Sequence, residues 1–444
     1  MEMKLPRLRM SCPAGPYGWR PILIMSALFF SIGFITWLNG PLITFVQVAF
    51  NLDDVSAFLI PVCFYLAYLI FPLPATLLTK KIGLRRGIIV ALLIMAAGMA
   101  IFGQYVNNGW YIGALSGLIV IGAGLSLLQI TVNPYISLLG DHSQAAQRIA
   151  IMGVANKFAG IVAPVAFAVV VMPDVGSVAS RLKGMSPGVD RDRIISDFTH
   201  AVYLPYQIMA GLLLLLALFV ARAALPEITI SEDSTQDTSP RKPASSGRFW
   251  GMTGALAMFL YVGVEVMAGD AIGFLGRSYG LSLDITKYLT SATLGSMLAG
   301  YLLGMIIVPR FISQERYLLL SCCLGILLGV FSLFLPGTFP VYCIALLGFA
   351  NAMIMPALFP IVLAGAGSQG GQAVAWLVMA FSGGAIVPQI FVHIVPSVGV
   401  LSAFMLLVIP SYLFIGGWTL ALRKSINKNM ETGLCREHNL DGVR

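Results

Sequence analysis

A dozen apolar runs, each about as long as a bilayer is thick, constrain this chain more than any other feature. A helix needs roughly 20 apolar residues to cross the hydrocarbon core, and lipid cannot partner an open backbone group. Each run therefore reads as a spanning helix. The spans fall at about 21–48, 56–79, 87–107, 110–138, 146–172, 201–224, 250–277, 285–309, 317–336, 340–366, 371–395 and 399–422. Only 10% of the 444 residues are charged, against about 25% in an ordinary soluble domain. The mean hydropathy of +0.88 agrees, and the fold class expected is an all-α integral membrane protein. The basic first twenty residues lead into a run with no small-residue cleavage site, so span 1 is expected to be retained rather than removed as a signal peptide.

Cationic residues give the orientation, because Lys and Arg gather on the cytoplasmic side. With the N-terminus inside, twenty of the 27 Lys and Arg fall on cytoplasmic ends and loops. Six fall outside, Lys287 among them, and Lys157 lies within a span. Both termini are then cytoplasmic, and the net charge of +8 follows from this bias without a nucleic-acid partner. The six cysteines show no CxxC spacing and the four histidines are scattered. No metal cluster and no cofactor are expected.

Between spans 6 and 7 runs PEITISEDSTQDTSPRKPASSG (226–247), too polar to bury a core. It divides the chain into a tail (1–20), a six-helix bundle (21–224), a linker (225–249), a second six-helix bundle (250–422) and a tail (423–444). The halves carry matching marks. Gln129 precedes Pro134 by five, as Asn351 precedes Pro356; Gly160 precedes Pro164 by four, as Gly384 precedes Pro388; and Gly33 lies seven before Gly40, as Gly263 lies before Asp270. Two pseudo-symmetric bundles of six around a central cavity are the expected architecture.

Longer motifs add a resemblance. GFITWLNGPLI (33–43), LLQITVNPYISLLG (127–140), RIAIMGVANKFAGIVAP (148–164) and YVGVEVMAGDAIG (261–273) resemble the fucose–galactose–hexose group of the major facilitator superfamily. The likeness is greatest to bacterial glucose/galactose and N-acetylglucosamine permeases. It implies the twelve-helix major facilitator fold in the bacterial inner membrane. It also implies alternating-access import of a hexose-type sugar coupled to a proton or sodium ion. The departures are as telling. Where fucose permeases carry a span 1 acid after the position of Asn39, this chain has Gly40; where they carry a span 4 Glu, it has Gln129. The loop after span 2, TLLTKKIGLRR (76–86), has Lys80 at the superfamily's acidic place, so the usual loop-to-helix clamp is expected to be weakened.

Three residues ionised at neutral pH lie well inside spans: Lys157, Glu265 and Asp270. Each costs about 2.5–3.5 kcal/mol at a helix centre, so they are expected to face a cavity or one another. The repeat sets Asp270 opposite Gly40, where relatives keep their acid. Asp270 is accordingly the leading cation-coupling candidate, as a carboxylate moved across the pseudo-two-fold axis. Glu265 stands five residues earlier, about 140° around the helix. It is a second coupling candidate and a possible sugar ligand. Lys157 is expected to pair with one of the two across the halves; a fixed bridge that only sets packing is the plainer alternative.

Sugar hydroxyls call for amides, and sugar C–H faces for aromatic rings. Gln129 and Asn133 share a face of span 4; Asn39 and Trp37 lie together in span 1; Asn156 and Asn351 sit mid-span. With Glu265 these form the expected substrate set, against the alternative that buried amides bond helix to helix. Trp19, Trp110, Trp250 and Trp418, near span ends, are expected at the interfaces. An uncoupled facilitator, with Asp270 locked to Lys157, is the nearest competing reading. A membrane hydrolase would show an HExxH or GxSxG-type motif, and none is present.

Overall fold

Residues 19–138, 145–186, 188–223, 245–308, 311–366 and 370–441 are described by the structure, a computed structural model. Helices and short turns make up these residues, and there is no strand among them. Eleven helices are long and apolar enough to cross a bilayer, and a bent pair over Asp54–Ile70 and Pro72–Ile82 makes a twelfth. The twelve runs read from the sequence are thus twelve spans.

Proline explains where spans break. Pro41 has no N–H for the carbonyl of Trp37, and span 1 is divided into Trp19–Thr36 and Asn39–Phe50 at that turn. Pro72 acts likewise in span 2, which bends by 52° there. Pro356 follows the break of span 10, between Phe339–Asn351 and Ile354–Ala366. Span 7 breaks at Ala271, between Ser245–Asp270 and Ile272–Ser278, with Gly269 and Gly273 on either side. The breaks in spans 1 and 7 put polar side chains beside opened backbone at similar depth.

Packing repeats between the halves. Span 1 packs on 5, 2 on 4, 3 on 4 and 3 on 6; in the second half 7 packs on 11, 8 on 10, 9 on 10 and 9 on 12. Adding six to each number of the first set gives the second. The halves meet through spans 5 and 8 and through spans 2 and 11, which is again one contact and its symmetry mate. Small residues allow the close approaches, since helices in lipid gain chiefly by contact. A Cβ on Gly33 would collide with the Asn156 backbone carbonyl of span 5, and one on Gly383 with the Phe259 carbonyl of span 7.

Several ends differ from the expectation. Between spans 5 and 6 Val175–Gly184 is a helix, and span 6 begins at Val189 and runs 34 residues to Arg222. Asp190 and Asp192 in its first turn suit the positive end of the helix dipole, so the helix can extend past its apolar portion. The last helix likewise continues to Asp441. The loop after span 2 is tied to the end of span 6. Gly83 takes a φ of 83°, a left-handed turn that favours glycine. It sends Arg85 onto the carbonyls of Ala221 and Ala223 at 2.9 and 2.8 Å, where its charge meets the C-terminal end of span 6. Most of the linker (224–244) lies outside the described residues.

Candidate functional site

The polar centre forms where spans 1, 5, 7 and 8 meet. Lys157, midway along span 5, donates from Nζ to Oε1 of Glu265 in span 7 at 2.7 Å, with 9% and 12% of the side chains exposed. The pairing that the sequence left open is therefore with Glu265, and it joins the two halves. The ammonium also stands 4.8 Å from the centroid of the Trp37 ring and 5.8 Å from that of Tyr301. Both aromatic faces attract a desolvated cation.

Trp37 owes its position to two glycines. A Cβ on Gly160 of span 5 would come 2.5 Å from its Cδ1, and one on Gly269 of span 7 would collide with its Cζ3. The ring fills a slot between the halves directly against Lys157. Its role in this arrangement is to wall the ion pair, and it is buried from solvent. A sugar stacking on it would first have to part the halves.

Asp270 is placed differently. It is 3% exposed. The Gly40 N–H dipole is beside its carboxylate, yet neither oxygen completes a hydrogen bond of ordinary geometry. A Cβ built on Gly40 would lie 3.2 Å from Asp270 Oδ1 and 2.5 Å from Thr290 Oγ1 of span 8. Asp270 and Thr290 thus occupy the volume that a side chain at position 40 would need. The register inferred from the repeat, Asp270 opposite Gly40, is a direct contact across the halves. Next to it Asn39 is 1% exposed and its Nδ2 has no partner.

The other amides divide by what they bond. Gln129 Nε2 donates to Tyr68 Oη at 2.9 Å, linking spans 4 and 2. Asn351 accepts from Tyr412 Oη at its Oδ1 (2.7 Å) and from Tyr261 Oη at its backbone carbonyl (3.1 Å), while its Nδ2 is buried without a partner. Asn156 Nδ2 donates to the Phe29 carbonyl of span 1 at 3.3 Å, so its amide serves the 1–5 helix contact. Asn133 stands half-buried one turn beyond Gln129. The tyrosines around this centre, Tyr65, Tyr68, Tyr261, Tyr301 and Tyr412, are buried. The sequence reading missed them and Thr290. The usable signal was a polar tip in mid-span, but nothing local says that five such rings converge.

Residues 25–388 match the model of the Major Facilitator Superfamily. This chain belongs to the Major Facilitator Superfamily. It is 30% identical over 405 residues to the glucose/galactose transporter of Brucella abortus biovar 1 (strain 9-941), covering 90% of this chain and 93% of that one. It is 27% identical over 392 residues to the L-fucose-proton symporter of Escherichia coli (strain K12), covering 83% and 85%. The crystal structure of a Major Facilitator Superfamily transporter, FucP, in the outward conformation superimposes with a TM-score of 0.67 at 24% identity, over 91% of this chain and 98% of that one. The fold is thereby the superfamily's, and the resemblance drawn from the four motifs agrees with the relatives found.

This superfamily member is closed at the end of the bundle far from the linker. There Phe58 of the first half packs on Phe274 and Phe391 of the second, with centroids 5.9 and 6.3 Å away, and Gln389 Nε2 donates to the Val55 carbonyl at 3.4 Å. Nearer the centre Ser291 Oγ donates to the Ile161 carbonyl at 3.0 Å. Trp418, expected at an interface, is instead 6% exposed and donates from Nε1 to Thr253 Oγ1 at 2.9 Å. Position along a span gives a tryptophan's depth and leaves open which way it points. Trp110, at 51% exposure, does stand at a surface, and the side chain of Trp19 lies outside the described residues.

Proposed function

We propose that this protein is a secondary carrier that imports a hexose-type sugar of the glucose/galactose class by alternating access, with Asp270 as the coupling carboxylate. The observation that carries the reading is the burial of Asp270 with both oxygens unpartnered, in the volume left free by Gly40. An ionised carboxylate left alone in such a place is costly. A transported cation, proton or sodium, would neutralise it and let the halves close. The membrane potential contributes about 2.3 kcal/mol per charge per 100 mV, enough to concentrate a sugar when one cation accompanies it. The glucose/galactose and fucose-proton names of the relatives supply the substrate class and support coupling. The uncoupled facilitator required Lys157 to hold Asp270, whereas Lys157 holds Glu265.

In this reading the Lys157–Glu265 pair is the substrate-linked element. A sugar hydroxyl that takes one of Glu265's acceptor positions loosens the only bridge between spans 5 and 7 named above, and so reports occupancy to both halves. Asn39 and Asn351 supply unpartnered amide donors, and Gln129 and Asn133 line the span 4 side. Asn156 and Gln129 each already use an amide donor within the protein, on the Phe29 carbonyl and on Tyr68 Oη, so a sugar has to share those amides. Both termini and the linker face the cytoplasm of a bacterial inner membrane.

The test is uptake of labelled glucose into proteoliposomes, with unlabelled galactose and N-acetylglucosamine as competitors and with pH and sodium gradients imposed separately. Wild type is expected to accumulate glucose under one of the two gradients, and Asp270→Asn to exchange glucose without accumulating it. Equilibration without accumulation by both proteins sinks the coupling role. Competition by N-acetylglucosamine alone would reassign the substrate.

A further inference from the structure

The far-end closure contains a buried cation that neither the coupling site nor the substrate set uses. Lys287 lies at the start of span 8, two residues before its helix Leu289–Ile307, in the second half, and is 6% exposed. Its ammonium has three N–H donors, and all three are engaged. It donates to the carbonyls of Met172 at 2.9 Å and Pro173 at 3.0 Å, in the first half, and to Asp284 Oδ1 at 3.3 Å in its own half. Met172 and Pro173 follow directly on the span 5 helix, which ends at Val170. Carbonyls just past the end of a helix have no place in its hydrogen-bond ladder and lie at the negative end of its dipole. A lysine from the other half of the molecule therefore caps span 5.

The surroundings make this contact a joint. Asp284 also lies against Gly176, where a Cβ would come within 2.6 Å of Oδ2. Gly176 belongs to the helix Val175–Gly184, which touches both the Leu283–Thr286 turn of the second half and the Asn39–Phe50 part of span 1. The segment between spans 5 and 6 thus lies across the seam between the halves, held there by Lys287. Asp284 itself is 54% exposed, so its ion pair is screened by water and adds little. The two carbonyls provide the grip.

We propose that Lys287 is the latch of the far end: its hold on Met172 and Pro173 keeps the halves closed there, and its release accompanies opening of that end. This rests on the carrier reading, in that a latch needs two states to choose between. Opening would expose the ammonium and both carbonyls to water, which can replace all three hydrogen bonds, so the latch is reversible. Substituting an apolar side chain removes the grip from the closed state only.

The experiment places spin labels at Asn108 and Phe334, far-end positions in opposite halves, and measures their separation in proteoliposomes with and without glucose. Wild type is expected to show a short and a long distance whose ratio glucose changes. Lys287→Met should shift that ratio toward the long distance by about tenfold or more, the usual weight of hydrogen bonds to a charged group. Asp284→Asn, expected to fold like wild type, should shift it by no more than about threefold. Lys287→Gln keeps an amide donor and should fall between, and it stands in should Lys287→Met not fold. A wild type with one far-end distance that glucose does not move overturns the alternating reading and the latch together. A wild type that moves while both Lys287 variants match it overturns the latch alone.

Discussion

Spans 1 and 7 occupy equivalent places in the two halves and break at similar depth, yet they carry opposite polar loads. Around its break span 1 offers Trp37, Asn39 and Gly40; span 7 offers Glu265, Gly269 and Asp270. Each supplies what the other lacks. Gly40 makes room for Asp270, Gly269 makes room for Trp37, and Trp37 walls the ion pair that Glu265 completes. Because the two helices touch near the pseudo-two-fold axis, a carboxylate can serve the same volume from either side. The place of an acid in such a protein is thus a point in space, and its position along one helix is secondary.

The strongest test of this division removes the charge load from span 7. Glu265→Gln leaves Lys157 buried against aromatic rings without an anion. It should lower stability by about 3–5 kcal/mol in detergent unfolding. The double variant Lys157→Met with Glu265→Gln should recover most of that loss, since no lone charge remains. If the single variant unfolds like wild type, the pair contributes nothing and span 7 does not carry the load.

The next test compares the matching glycines. Gly33→Ala would put its Cβ on the backbone carbonyl of Asn156, which cannot step aside, whereas Gly263→Ala would meet only side-chain atoms of Val387, its Cβ at 2.7 Å and its two methyl groups. The first should cost about 1–3 kcal/mol and the second less; equal losses would mean that both helix pairs yield alike. Moving the acid sharpens the comparison further. Gly40→Asp combined with Asp270→Gly should keep gradient-driven accumulation, while Gly40→Asp alone should lose it through crowding against Asp270 and Thr290. A double variant that equilibrates sugar without concentrating it would tie coupling to span 7 itself. Smallest of all, Trp418→Phe removes the Nε1 bond to Thr253 from the second half only. It should cost about 1 kcal/mol in the same unfolding measurement.

Much of the fold is legible along the chain because its cause is local. Apolar length gives the spans, Pro41, Pro72 and Pro356 mark the bends in spans 1, 2 and 10, and the spacing of Gly, Gln, Asn and Pro betrays the repeat. The candidate site is legible in part. Lys157, Glu265 and Asp270 stand out through their cost in lipid, and the repeat brought Asp270 to Gly40. Lys287 did not stand out, because it lies at a span end where a lysine is ordinarily solvated. Its burial depends on Met172 and Pro173, more than a hundred residues away.

The sequence by itself determined that the chain spans a bilayer about twelve times, that its halves are related, and that three charged side chains must find shelter inside. Hydrophobic length and the cost of burying charge belong to a segment, so a segment suffices to read them. Only the tertiary structure decided that Lys157 goes to Glu265, that Asp270 is left without a partner beside Gly40, and that Lys287 caps the far end of span 5. Those choices depend on how each helix is rotated and how closely its neighbour can approach. Glycines 33, 160, 269 and 383 set that approach by what they leave out, and the shape they create exists only once the halves are packed.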